Sequence, residues 1–140
     1  MRITTRGRYA VRAAIVLAQQ SKDGAPVSIT RIAEQEGISS VFLEQIFFKL
    51  RKAGIVNSVR GPGGGFYFAL PLETITVKNI LDAAGETLII APCKAPLKPC
   101  VRYNNCVTHP IWEDLTDMII NYLSGLNLAA ILEKCKTTEL

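Results

Sequence analysis

The chain has 140 residues, of which 49% are hydrophobic and 20% are charged. This is enough for one folded domain with a core, and it excludes both a disordered chain and two full domains. The first 60 residues hold ten Lys and Arg against four Asp and Glu, whereas the remaining 80 hold six against eight. The positive field therefore belongs to the N-terminal half, where it would attract phosphate.

Nothing in the sequence predicts a membrane span. The apolar stretch at residues 9–18 is interrupted by Arg12 and has no signal-peptidase site after it, so we expect a buried helix there. No run approaches the ~18 apolar residues that a span needs. We expect a cytoplasmic protein, in which four cysteines favour metal ligands or reactive thiols over disulfides.

Three helices are predicted in the N-terminal half. The first covers residues 6–20, and Arg2, Arg6 and Arg8 lie at its start. A second begins after Ser28, which has the chemistry of a helix cap, and ends at Gly37. The third begins at Ser39 or Ser40 and ends before Gly54. Its predicted buried face consists of Phe42, Leu43, Ile46, Phe47 and Leu50.

The second and third helices have the pattern of a helix-turn-helix, in which the second helix lies in the DNA major groove. The β-prone residues 55–60 and 66–70 flank a glycine-rich segment, and they predict a hairpin directly after this helix. Such a hairpin is a wing. Its glycines lack the Gly-Lys-Ser/Thr ending of a nucleotide-binding loop. Thr76 predicts the start of a further short helix that Gly85 ends.

The C-terminal half is predicted to contain an irregular loop and a long helix. Pro92, Pro96 and Pro99 exclude a regular helix there, and Pro110 suits the first turn of the helix that follows. This helix has more apolar surface than one small domain can cover, which favours a two-fold dimer. We therefore expect a winged helix-turn-helix domain at 1–75, a short helix and ligand loop at 76–109, a dimerisation helix at 110–128 and a tail at 129–140.

Four soft donors lie close together in the loop: Cys93, Cys100, Cys106 and His109. The gaps between them are six, five and two residues, wider than the Cys-x2-Cys spacing typical of zinc. A wide, irregular loop suits a two-iron, two-sulfur cluster, in which imidazole ligation raises the potential. Structural zinc and redox-active thiols remain alternatives. Cys135 lies outside this spacing, and we interpret it as a free thiol.

Candidate DNA contacts lie on the third helix, the N-terminal arm and the wing. Gln45 suits an adenine edge, Glu44 suits a cytosine amine, and Arg60 suits the minor groove or a phosphate. The remaining candidates would position the protein on the duplex without specifying sequence. These are Arg2, Arg6, Arg8, Ser39, Ser40, Lys49, Arg51, Lys52, Gly63 and Gly64.

Several stretches resemble the IscR family of winged-helix regulators. They are residues 1–11 (MRITTRGRYAV), 42–46 (FLEQI), 50–54 (LRKAG) and 58–65 (SVRGPGGG). The resemblance covers nearly the whole chain. It implies a mainly helical fold with a small β-hairpin, and a homodimer that binds double-stranded, palindromic DNA. It also implies a two-iron, two-sulfur (2Fe-2S) cluster on the three cysteines and the histidine.

This chain departs from the family pattern in three places. The gap between Cys93 and Cys100 is one residue longer than is usual in IscR. Relatives that sense nitric oxide use similar cysteines with a four-iron (4Fe-4S) cluster, so that reading remains open. Val41 and Phe48 are apolar where polar or small residues are expected, and the target sequence is therefore not transferable.

The sequence favours a regulator over an enzyme. The chain shows no Ser/His/Asp set, and its one histidine belongs to the cysteine cluster. The remaining alternative from another class is a zinc- or thiol-based adaptor whose N-terminal module binds protein instead of DNA.

Glu44 is expected to restrict the choice of DNA site. A carboxylate close to phosphate is unfavourable unless it accepts a hydrogen bond from a cytosine amine. Glu44→Ala should therefore bind sites that the unaltered protein rejects, which a binding panel of duplexes differing at single positions would measure. An unchanged site preference would instead indicate that Glu44 only pairs within its helix.

Overall fold

The computed structural model describes residues 2–95 and 97–138. Within these residues, six α-helices and one two-stranded antiparallel sheet form the fold, which confirms the predicted mainly helical class with a small hairpin. The elements are α1 (Thr5–Gln20), α2 (Ile29–Glu36), α3 (Ser40–Lys52), β1 (Val56–Val59), β2 (Gly65–Phe68), α4 (Val77–Ala83), α5 (His109–Ser124) and α6 (Leu128–Thr138). Short 3-10 turns lie at Leu72–Thr74 and Tyr103–Asn105.

Local side-chain chemistry sets most helix boundaries. The Ser28 hydroxyl accepts a hydrogen bond from the Arg31 amide at 3.2 Å, and Gly37 ends α2 in the left-handed conformation. Thr76 and Asn79 form a reciprocal capping box at the start of α4. Ser39 precedes α3 without a capping hydrogen bond from its side chain.

The main core joins α1, α2, α3 and the hairpin. Leu43, Ile46, Phe47 and Leu50 of α3 are fully buried, as the periodicity predicted, while Phe42 is half-buried. The Phe47 ring lies 4.8 Å from the ring of Phe66 in β2 and so fixes the hairpin against α3.

The hairpin is attached to the chain before α2 as well as to α3. Val27 and Phe66 exchange two backbone hydrogen bonds of 2.9 and 2.8 Å. A Cβ atom on Gly65 would collide with the Val27 backbone, so glycine is required at this close approach. The strands pair from Val56 with Phe68 to Val59 with Gly65, so β1 lies within the predicted run 55–60, and β2 begins one residue before the predicted run 66–70.

The C-terminal segment differs from the expected tail, because residues 128–138 form α6. The Asn127 side chain accepts a hydrogen bond from the Ala130 amide at 2.8 Å and starts the helix. Leu128 is fully buried in the main core, and α6 packs against α1. This docking stabilises an eleven-residue helix that would be marginal on its own.

A backbone clip joins the two halves of the chain. The Val77 amide donates to the Leu126 carbonyl at 2.9 Å, and the Leu128 amide donates to the Ile75 carbonyl at 2.9 Å. Around it lies a second apolar cluster of Val77, Leu81 and Leu88. It receives Ile120 and Leu123 from α5, Leu126 from the connection between α5 and α6, and Ile131 from α6.

Only one side of α5 is covered. None of its residues is fully buried in the described structure. Its uncovered side carries large apolar side chains, namely Ile111, Trp112, Leu115, Met118 and Tyr122. Within the described ranges, no helix combines the length and hydropathy that a membrane crossing requires.

Candidate functional site

Helix α3 presents a mixed face to solvent. Burial of its apolar stripe turns Val41, Glu44, Gln45, Phe48 and Lys52 outwards, and all five are exposed. We call these five residues the α3 surface. It is the surface that a helix-turn-helix would place in the major groove.

The basic residues in the last turn of α3 connect this surface to the hairpin. The Arg51 guanidinium donates to the Ser58 hydroxyl at 3.1 Å and lies 5.7 Å from the Phe48 ring centre. Arg51 is thereby directed towards the hairpin and away from the start of α3. Lys49 is half-buried, and Lys52 is exposed.

The N-terminal arginines lie in different environments. Arg2 is exposed, and Arg8 is turned back on its own helix start, where it donates to the Ile3 carbonyl at 3.0 Å. Arg6 is half-buried. A Cβ atom on Gly85 would lie 3.6 Å from Arg6 Nη2 and 3.8 Å from Lys49 Nζ, so these two cations flank the end of α4.

The hairpin tip carries the predicted wing residues. Arg60 is exposed beside the turn, which is closed by a hydrogen bond from the Gly64 amide to the Gly61 carbonyl at 2.9 Å. Gly63 has a φ of +73°, a conformation that disfavours other residues. Ser39 and Ser40 are exposed at the opposite end of the surface, where α3 begins.

The four candidate metal ligands lie in two pairs. Within residues 2–95 and 97–138, no group of three or more His, Cys, Asp or Glu side chains is arranged to hold a metal ion. The Cys100 amide donates to the Cys93 carbonyl at 3.1 Å, which links one pair through the backbone. Cys106 and His109 form the second pair at the start of α5. All three thiols are free.

Cys106 lies among hydrogen-bond donors at the start of α5. Its sulfur is 3.2 Å from the Thr108 hydroxyl. That hydroxyl, followed by the Thr108 and His109 amides, holds the pKa of the Cys106 thiol below its usual value. These donors stabilise a thiolate, which is the form that binds metal.

His109 is positioned by a network that the sequence analysis missed. Its ring stacks on Tyr103 with centres 4.2 Å apart, and the Tyr103 hydroxyl donates to Glu113 at 2.9 Å. Lys94 forms an ion pair with the same carboxylate at 3.2 Å. The Tyr103 hydrogen bond, supported by Lys94, holds the pKa of Glu113 below its usual value. Only the four-residue spacing of His109 and Glu113 on one helix face hinted at this arrangement.

The donor set fits a cluster of iron and sulfide in its chemistry. Three thiols and one imidazole suit iron, and the loop that carries them has no regular structure beyond one 3-10 turn in its described part. The Nδ1 atom of His109 is buried and has no hydrogen-bond partner in the described structure. This imidazole nitrogen is therefore available as a ligand. The two pairs of donors, however, do not lie together around one site in the described structure.

Cys135 lies apart from these donors. It is half-buried on α6, where a groove between α6 and α1 is lined by Ala18, Gln19, Leu132 and Lys136. It is a free thiol, as the sequence predicted.

Known proteins resemble this chain over nearly its whole length. The Rrf2 family, described as iron-dependent transcriptional regulators, matches residues 3–134. The regulator IscR of Yersinia pseudotuberculosis is 41% identical over 132 residues, covering 94% of this chain and 79% of that protein. These relatives are transcription regulators and not enzymes, as expected.

Solved structures confirm the winged-helix class. The T. potens IscR structure has a TM-score of 0.80 at 33% identity, covering all of this chain and 92% of its own. CymR, the global cysteine regulator of B. subtilis, has a TM-score of 0.76 at 26% identity and covers 96% of this chain and 98% of its own.

Replacing the Thr108 hydroxyl should raise the pKa of the Cys106 thiol in metal-free protein. Thr108→Val removes the largest stabilising contribution to the thiolate but keeps the backbone donors. The midpoint of the alkylation rate of Cys106 against pH would therefore move to a higher pH than in the unaltered protein. The measurement is iodoacetamide reactivity against pH with Cys93, Cys100 and Cys135 changed to serine. Thr137→Val is the matched control, and an unchanged profile in Thr108→Val would contradict the assignment.

Proposed function

The chain belongs to the Rrf2 family of transcription regulators, and on that premise we propose that it is a cytoplasmic homodimer whose DNA binding responds to an iron-sulfur cluster. The observation that carries this proposal is the set of three free thiols and one orphaned imidazole nitrogen. The three cysteines lie in the segment between α4 and α5, and His109 is the first residue of α5.

Each protomer would place the α3 surface in the major groove of one half-site. Gln45 would face an adenine edge, and Glu44 would accept from a cytosine amine. Arg60 at the hairpin tip would enter the minor groove or meet a phosphate. The other basic residues, together with Ser39, Ser40, Gly63 and Gly64, would position the protein on the DNA backbone. Each phosphate contact would add about 0.9 to the salt slope.

The cluster would be held by Cys93, Cys100, Cys106 and His109. Such a group would supply an iron centre whose signal is cluster loss, redox change or nitric oxide. A 2Fe-2S type agrees with the histidine ligand. Because the gap between Cys93 and Cys100 is one residue longer than is usual in IscR, the second candidate is a nitric-oxide-sensing repressor of the same family with a 4Fe-4S cluster.

In this proposal, the arrangement of the four ligands around the cluster sets how the two winged-helix domains of the dimer are oriented relative to each other. At the start of α5, His109 stacks on Tyr103, which donates to Glu113, and Cys106 contacts the Thr108 hydroxyl. The Cys93 and Cys100 pair must move to join Cys106 and His109, which orders residues 90–109. Coupling of this kind is typically ~1 to 3 kcal/mol, about five- to 150-fold in affinity.

Two copies would pair through the uncovered side of α5. An exposed apolar stripe of this size is costly in a monomer and is typical of an interface. A two-fold axis through α5 would space the two α3 helices for a palindromic operator.

Cys93→Ala should abolish visible colour and alter site choice while leaving a folded dimer. The substitution removes one of the four donors and leaves the core intact, because Cys93 lies outside both apolar clusters. Anaerobic absorption spectra, iron and sulfide analysis, and binding to a panel of duplexes would measure it. Cys135→Ala is the matched control and should retain both colour and site choice. A colourless variant that binds every site as before would contradict the proposed switch, and colourless wild-type protein that contains zinc would favour the adaptor alternative.

Met118→Lys should convert the dimer to a monomer, because it places a charge in the middle of the apolar stripe. Asn121→Lys adds the same charge to an exposed position of α5 outside that stripe and should remain dimeric. Sedimentation equilibrium at matched concentrations would separate the two. A dimeric Met118→Lys variant would place the interface elsewhere.

A further inference from the structure

Two apolar side chains stand on the α3 surface among polar neighbours. Val41 is 65% exposed and Phe48 is 56% exposed. They lie seven residues apart, so they share a side of the helix. Together with Glu44, Gln45 and Lys49 they line one shallow groove.

Neither packing nor helix formation explains valine at position 41. Its side chain lies outside the main core, which α3 enters through residues such as Leu43 and Phe47. A β-branched residue is a weaker helix former than alanine, because its side chain loses rotamer freedom against the preceding turn. What remains is a contact with something outside the chain.

The two apolar residues differ in how free they are to make such a contact. Phe48 lies under the Arg51 guanidinium, which is bonded to Ser58 of the hairpin. Phe48 is therefore part of the junction between helix and wing. Val41 lies in the first turn of α3, the part of a recognition helix that contacts base edges.

We propose that Val41 packs against the 5-methyl group of a thymine in the major groove and makes thymine a required base of each half-site. The inference rests on the proposed DNA-binding function and adds a specificity-determining residue to it. Only thymine presents a methyl group in that groove, and apolar side chains recognise it by contact.

The neighbours of Val41 limit where this thymine lies. Gln45 and Glu44 stand one turn further along the same side and are exposed. The four residues from Val41 to Gln45 advance about 6 Å along the helix, against about 3.4 Å between stacked base pairs. The thymine that contacts Val41 therefore lies within about two base pairs of the base that contacts Gln45.

Uracil substitution tests this contact without disturbing hydrogen bonding. Uracil differs from thymine only by the methyl group, so both bases offer the same donors and acceptors. Anaerobically purified full-length protein would first select duplexes from a randomised library. Each thymine of the recovered consensus would then be replaced by uracil, one position at a time in both half-sites. Affinities would be compared at one salt concentration.

Burial of one methyl group corresponds to about a fourfold change in affinity, or ~15-fold over two half-sites. We expect a loss of this size at one thymine position for the unaltered protein. Val41→Ala should lose most of this discrimination and keep its thermal stability. Lys52→Ala is the matched control: it should weaken binding to thymine and uracil duplexes equally, because a phosphate contact carries no sequence information. Any effect of uracil on DNA shape is common to all three proteins.

Three results would overturn the inference. The first is a consensus without thymine near the adenine assigned to Gln45. The second is that replacing thymine by uracil lowers affinity at no position. The third is that Val41→Ala distinguishes thymine from uracil as well as the unaltered protein does. Each of these leaves the DNA-binding function intact. Recovery of no consensus at all would instead refute the proposed function, and the inference with it.

Discussion

The packing of Phe47 against Phe66 is the contact on which the orientation of the α3 surface depends. Phe47 is fully buried, and its ring holds the hairpin against α3 while Phe66 also pairs with Val27. Because the apolar side of α3 is fixed in this way, Val41, Glu44 and Gln45 on the other side face solvent. The charge on the arginines and lysines adds attraction, but the orientation comes from the apolar side.

The sequence predicted the N-terminal half well because its signals are local. Ser28, Gly37 and Thr76 set helix ends through their own hydrogen bonds or backbone conformation, and the glycine-rich turn sets the hairpin. Such features require no knowledge of distant contacts. The buried positions of α3 followed from periodicity for the same reason.

The C-terminal half was less predictable because its structure depends on long-range contacts. Helix α6 forms because Leu128 packs into a core whose other residues lie more than 40 positions earlier in the sequence. The spacing of apolar residues within a helix carries no information about such a distant contact. The stacking of His109 on Tyr103 and the role of Glu113 also depend on how the loop meets α5. The types of metal donor were evident from the sequence, but their division into two pairs was not.

The backbone clip beside Leu126 has a mechanical consequence for α5. This helix carries His109 at one end, and close to its other end the chain is hydrogen-bonded to residues at the start of α4. The sixteen residues of the helix make a rod about 24 Å long. The clipped end acts as a pivot, so a tilt of only about 5° displaces the histidine end by ~2 Å. In the dimer that we propose, the rod would convert a shift of that size at His109 into a small rotation between the two subunits without unfolding any element.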